Sequence, residues 1–171
     1  MKTVISNLKE ALAFVLNDLY SAEGILRDAI PGCLDFLSAD SLRSELLRYS
    51  EQAGDKLTKL HRAFGYLTCE PDNRKNMVVQ AFAEKTKQTM QLSTTPEIRN
   101  LMLATCFQSV NYYKIANYRA AARFACELEL EVPATLIEEI LGWERTTAEN
   151  LQRIATYEIS GTLPEYSAKP S

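Results

Sequence analysis

The sequence predicts an all-α helix bundle on three observations. Apolar residues recur at helical spacing along most of the chain, no segment keeps the two-residue alternation of a strand, and proline or glycine punctuates the joints between the periodic stretches. At 171 residues and 19.3 kDa the chain is one domain by length. The expected division is a bundle over residues 1–160 and a flexible tail over 161–171.

Each element has its own signal. In the first helix Leu8, Leu12, Val15, Leu19, Leu26 and Ile30 recur at steps of four and three with one step of seven, an apolar seam on one face. The run Ile30-Pro31-Gly32-Cys33 breaks or kinks it, because proline lacks the N–H that the helix needs. A second helix starts near Ser38, taken as its N-cap with Ser41 as the other candidate, and continues through Leu46, Leu57, Leu60 and Phe64. Residues 67–76 read as a loop, and a shorter helix over 75–90 carries Met77, Ala81 and Met90. Thr95 as N-cap, Pro96 in the first helical position and Glu97 in the first turn open the longest helix, which runs to about Leu128. A last helix begins around Glu131-Val132-Pro133 and ends near Ile159, where Gly161 reads as its stop.

Composition removes several function classes. The chain is 46% hydrophobic and 24% charged, as an ordinary globular protein is, and its net charge of −3 comes without any basic block. Nucleic acid is therefore not an expected partner. No stretch reaches the roughly 20 apolar residues of a membrane span. Asn7, Lys9 and Glu10 interrupt the first apolar run too early for a signal peptide, so a cytoplasmic location is expected. Cys33, Cys69, Cys106 and Cys126 lack any paired spacing and are expected to be reduced and mostly buried. There is no Gly-rich phosphate loop, and the single histidine, His61, has no nucleophile assigned to it by sequence.

Bundle interiors hold ligand sites on side chains that point inward from facing helices. Glu23 lies four residues after Leu19 and three before Leu26, on the apolar seam. Lys114 is in phase with Val110, Asn117, Ala121 and Leu128, and Tyr113 lies on a neighbouring strip. Glu144 follows Ile140 by four and precedes Leu151 by seven. Two carboxylates and one ammonium are thus expected on the inner faces of three helices. The competing expectation is an exposed Lys114 and a Glu144 that reaches water.

Three stretches carry a family resemblance. LNDLYSAEGILRDAIP (16–31) resembles the opening signature of the YciE/YciF-type ferritin-like stress-protein family, whose function is unknown. VNYYKIANY (110–118) is similar to its second signature, and LIEEILGWERTTAENL (136–151) to its last. The resemblance implies a ferritin-like four-helix bundle with an additional short helix, commonly a homodimer, whose interior carboxylates and histidines resemble a di-metal site. Oxygen and imidazole donors in a rigid cage suit iron or manganese.

Carried over position by position, most of that cage is replaced. Glu23 and Glu144 are kept. Tyr49 and Gln52 stand where the second helix should offer a histidine and an acid; Asn111, Tyr112 and Lys114 stand in the long helix; Ala148 replaces an aspartate. His61 falls outside these positions. The expectation is a degenerate site with no metal, in which Lys114 supplies positive charge and the tyrosines fill the vacated space. A non-catalytic bundle with a stress-related structural or interaction role is the first functional expectation. The alternative is an iron- or manganese-dependent oxidoreductase whose ligands would include Glu23 and Glu144, with Glu51, Glu84 and Tyr49. A third is a small-molecule binder lined by Tyr20, Tyr49, Tyr112, Tyr113 and Trp143.

Overall fold

The computed structural model describes residues 4–162, with the side chains of 161 and 162 left aside. Six helices follow in order: α1 (Leu8–Ala29), α2 (Pro31–Leu34), α3 (Asp40–Tyr66), α4 (Met77–Leu92), α5 (Pro96–Glu127) and α6 (Glu131–Thr162). No strand occurs among the described residues. Four long helices carry the expected bundle, and the one expected short helix is joined by α2, a single turn that Pro31 initiates.

Local chemistry explains most boundaries. Thr95 accepts a hydrogen bond from the Ile98 N–H at 3.3 Å with Pro96 behind it, as the sequence leads one to expect. Asn7 and Asn76 cap α1 and α4 in the same way, accepting from the N–H groups of Glu10 and Val79 at 2.9 Å each. The start of α3 departs from expectation. Its N-cap is Ala39, with no side-chain bond, and Ser41 lies inside the helix. Ser38 is drawn into a tertiary pair instead: its N–H donates to Asn100 Oδ1 at 3.2 Å and its Oγ accepts from Asn100 Nδ2 at 2.8 Å. Gly161 does not stop α6, which continues to Thr162. The remainder of the expected tail, 163–171, lies outside the described residues.

The helices form a ring in which α1 packs on α3 and α5, and α6 packs on α3 and α5. α1 with α6, and α3 with α5, therefore face each other across the diagonals. Two apolar clusters fill the interior. One joins Leu12, Leu16 and Leu19 to Leu60, Phe64, Tyr118, Ile137 and Ile140; the other joins Leu26 and Ile30 to Leu42, Leu46, Leu103, Phe107 and Leu151. Chain direction follows from that pairing: α1 and α6 run from the first cluster to the second, and α3 and α5 run back. The diagonal partners α3 and α5 are consequently parallel. The connection between them must traverse the bundle, and α4 lies along it against α1 and α5.

All four cysteines are free. Cys33 and Cys106 are buried, whereas Cys69 is half-buried and Cys126 exposed, so burial is less general than expected. Met77 and Ala81 of α4 are exposed; Val79 and Thr86 are the residues that anchor this helix.

Candidate functional site: a buried layer of charge

Between the two apolar clusters lies a layer of ionisable side chains with no exposed surface: Glu23 from α1, Lys56 from α3, Lys114 from α5 and Glu144 from α6. One residue from each long helix meets at the bundle axis. In ionised form their charges cancel, two against two. This matters because an unpaired charge cannot persist in an apolar interior.

The hydrogen bonds account for every carboxylate oxygen. Glu23 Oε1 accepts from Lys114 Nζ at 2.7 Å and from Tyr118 Oη at 2.7 Å. Glu23 Oε2 accepts from Tyr49 Oη at 3.3 Å and lies 3.9 Å from Lys56 Nζ. Glu144 Oε1 takes two ammoniums, Lys56 at 2.6 Å and Lys114 at 3.0 Å. Glu144 Oε2 accepts from Asn111 Nδ2 at 2.7 Å, and the same amide group donates to the Glu144 carbonyl at 3.2 Å. Lys114 Nζ also donates to the Tyr49 hydroxyl. The Tyr49 ring lies under Lys56 Nζ, 3.8 Å from its centroid, a cation–π contact that adds to the same cage. Asn111 turns its nitrogen to the carboxylate, which leaves Oδ1 buried without a partner.

These contacts decide the protonation states. Burial pushes the Glu23 carboxyl up, but Lys114 and then Lys56 outweigh it and hold the group below the usual carboxylate range. Burial likewise disfavours the charged Lys114, and Glu144 and Glu23 reverse that effect, raising the ammonium above its ordinary value. Tyr118, buried and facing Glu23 and Glu144, is pushed far up and stays a phenol. Opposite charges within a few ångströms override desolvation here.

Sequence reasoning found part of this layer. Of the positions carried over from the family, Glu23, Tyr49, Asn111, Lys114 and Glu144 come together. Three do not. Tyr112 is 52% exposed and fills no interior space, because it sits two residues from Lys114 and so on the far side of α5. Gln52 is half-buried beside the layer, where it accepts from Arg48 Nη1 at 3.2 Å. Ala148 belongs to the first apolar cluster. Lys56 and Tyr118 were missed as site residues. A signal for Lys56 was present: Leu42, Leu46, Tyr49, Ala53, Lys56, Leu60, Ala63 and Leu67 advance by alternating steps of four and three, whereas Leu57 is off that line.

The remaining candidates disperse. Glu51 and Glu84 are exposed, as is His61, whose Nδ1 lies 4.0 Å from Glu70. Tyr20 packs edge-on against Phe64, Tyr113 accepts from Asn76, and Trp143 lies beneath Lys59, so the aromatic residues line no common cavity with Tyr49. Among the described residues, no three His, Cys, Asp or Glu side chains are grouped to hold a metal ion. A groove of about 750 Å³ runs between α3 and α6 beside Arg48 and Arg153, and no residue of the charge layer lines it.

The helix arrangement is that of a ferritin-like helical bundle. The chain belongs to the family described as "Domain of unknown function (DUF892)", which matches residues 7–163. It is 23% identical to Protein YciF of Escherichia coli (strain K12) over 156 residues, covering 91% of this chain and 92% of that protein. The crystal structure of the E. coli stress protein YciF superposes with a TM-score of 0.87 at 21% identity, over 91% of this chain and 99% of that one. YcfI of Rhodopseudomonas palustris, for which a structural role has been suggested, gives 0.84 at 19% identity, over 89% and 97%. No described helix is long and apolar enough to cross a membrane.

Proposed function

We propose that this protein is a non-catalytic ferritin-like bundle in which two lysine ammoniums replace the cations of a di-metal centre. The observation that carries the reading is the complete burial of Lys56 and Lys114, each within hydrogen-bond distance of Glu144. A metal would have to displace an ammonium from a carboxylate and would then face the other. Only Glu23 and Glu144 remain as anionic donors, and iron or manganese prefers an oxygen-rich set with positions left open. The residues present do not fit such a centre.

What remains is a rigid core with a fixed pattern of charge. A structural or interaction role in stress, exercised as a cytoplasmic homodimer, completes the reading; the description of YciF as a stress protein supports it. Metal analysis tests the central point. Protein purified without chelators from iron- and manganese-supplemented medium should carry far less than one metal per chain, and a stoichiometric metal content would refute the proposal.

A further inference from the structure

Four glutamates are buried among the described residues, and three of them hold cations: Glu23 and Glu144 in the central layer, and Glu45 with Arg48. Glu158 is the exception. It is 9% exposed, and no described lysine or arginine forms an ion pair with it. Its one hydrogen bond to a described residue comes from Asn100 Nδ2 to Oε2, at the limiting length of 3.5 Å, and Oε1 has none. A buried carboxylate without a counter-charge is costly. Glu158 opens on the groove between α3 and α6, whose volume of about 750 Å³ suits a small organic molecule.

Further back along α6 the same groove has the opposite charge. Arg153 is exposed there and donates through Nη2 to Asn150 Oδ1, leaving its other N–H groups without a described partner. Arg48, by contrast, is spent on Glu45, Gln52 and Thr147. Asn150 also donates to Glu45 Oε2 at 3.0 Å, so Arg153, Asn150, Glu45 and Arg48 form one continuous network. Ile154 and Tyr157, the latter 75% exposed, supply apolar surface between Arg153 and Glu158. On the α3 wall the hydroxyls of Ser41 and Ser44 bond no described residue, whereas Thr146, Thr156 and Ser160 of α6 return theirs to the carbonyl one turn back.

We propose that this groove binds a small zwitterion, its ammonium on Glu158, its carboxylate on Arg153 and a short apolar stem lying over Ile154 and Tyr157. Each end excludes the simpler ligands. A diamine would set its second ammonium beside Arg153, and a plain carboxylic acid would leave Glu158 without a counter-charge. Glu158 and Arg153 are five residues apart on α6, about 7.5 Å of helix rise, so the ligand's two charges stand about 6–8 Å apart. An α-amino acid, whose charges share one carbon, is too short; an ω-amino acid or a dipeptide fits. The unbonded hydroxyls of Ser41 and Ser44 are available to the polar atoms of such a stem. The site lies apart from the closed charge layer, so ligand binding here needs no opening of the core.

Titration of the full chain with ε-aminocaproate, followed by calorimetry or amide NMR shifts, provides the test. Binding should saturate at one molecule per chain, and hexylamine, caproate and cadaverine should each bind about tenfold more weakly or less. Glu158→Gln should weaken ε-aminocaproate by about tenfold or more with helicity unchanged. Arg153→Met should weaken ε-aminocaproate similarly and leave hexylamine where it was, because that probe has no charge for the Arg153 end. Should E158Q lose helicity, R153M at its exposed position still decides the matter. Lys169→Met should bind as the wild type does. A gain in affinity on that substitution would assign the groove to the chain's own C-terminal segment and overturn the proposal. So would the absence of saturable ε-aminocaproate binding below about 10 mM, cadaverine binding as tightly as ε-aminocaproate, or an R153M chain that binds ε-aminocaproate unchanged.

Discussion

Replacing Lys114 by methionine keeps the length of the side chain and removes its charge. In the native protein Nζ bonds Glu23 at 2.7 Å and Glu144 at 3.0 Å, and it also donates to Tyr49. After substitution the buried layer has one excess negative charge. Lys56 still neutralises Glu144 at 2.6 Å but stands 3.9 Å from Glu23. Removing one partner of a buried ion pair costs roughly 3–5 kcal/mol. At about 2–4 °C per kcal/mol for a domain of this size, the melting midpoint should fall by roughly 6–20 °C. The deficit should also depend on pH in a defined direction. Burial raises the Glu23 carboxyl, and without Lys114 the opposing influence is diminished, so Glu23 takes up a proton in mild acid and the excess charge disappears. The gap between wild type and K114M should therefore be smaller at pH 5 than at pH 8. Adding Glu23→Gln to K114M should recover part of the loss, with a coupling of about 0.5–3 kcal/mol. Urea titration of the four chains measures all of this. A K114M cost below about 0.5 kcal/mol, the size of a surface substitution, would refute the reasoning.

Stability should be highest between about pH 5 and 9.5 and fall on both sides. The folded Glu23 binds its proton more weakly than the unfolded side chain at about 4.3, so its contribution is present above that pH and lost as the pH falls through the folded value. Lys114 and Tyr118 are raised, so their contributions are present below the unfolded values of about 10.4 and 10 and lost as the pH rises through the folded ones. Tyr118→Phe should cost about 1.5–3 kcal/mol by removing a bond to a charged group, and it should flatten the alkaline fall in a pH series of melting curves. Lys59→Met, which removes a partly exposed contact with Glu139, should change stability by less than about 0.5 kcal/mol in the same denaturation assay. A bound ligand at a hundred times its Kd adds about 2.7 kcal/mol, so manganese or ferrous iron would raise the melting point by roughly 5–10 °C if it bound; no such rise is expected in a thermal-shift measurement.

The parts of the site legible in the sequence were those set by phase. Glu23, Lys114 and Glu144 each fall three or four residues from apolar neighbours, and the helical repeat alone carries them inward. Lys56 shows how the same evidence is misread. Leu57 is more apolar than Lys56 and attracts the seam to itself, but it is only half-buried, and the steps from Leu42 through Ala53 to Leu60 pass through the lysine. Only a partner on another helix makes a buried lysine tolerable, and that partner, Glu144, is 88 residues away in the chain. Tyr112 fails for the opposite reason. Its position came from a family signature rather than from phase, and on α5 it points outward. Ser38 could not be read as a tertiary residue, since Asn100, 62 residues away, competes with the cap for its side chain.

The layer as a whole explains why the bundle can keep four buried charges without an ion. Two parallel diagonals bring one residue from each helix to the axis, and the signs balance only when both lysines are inside. The most direct test is a crystal structure with anomalous data collected at the iron and manganese edges. No anomalous peak is expected among Glu23, Lys56, Lys114 and Glu144, with both lysine nitrogens within about 3 Å of a carboxylate oxygen. A metal peak at the bundle axis, or either lysine turned out to solvent, would contradict it.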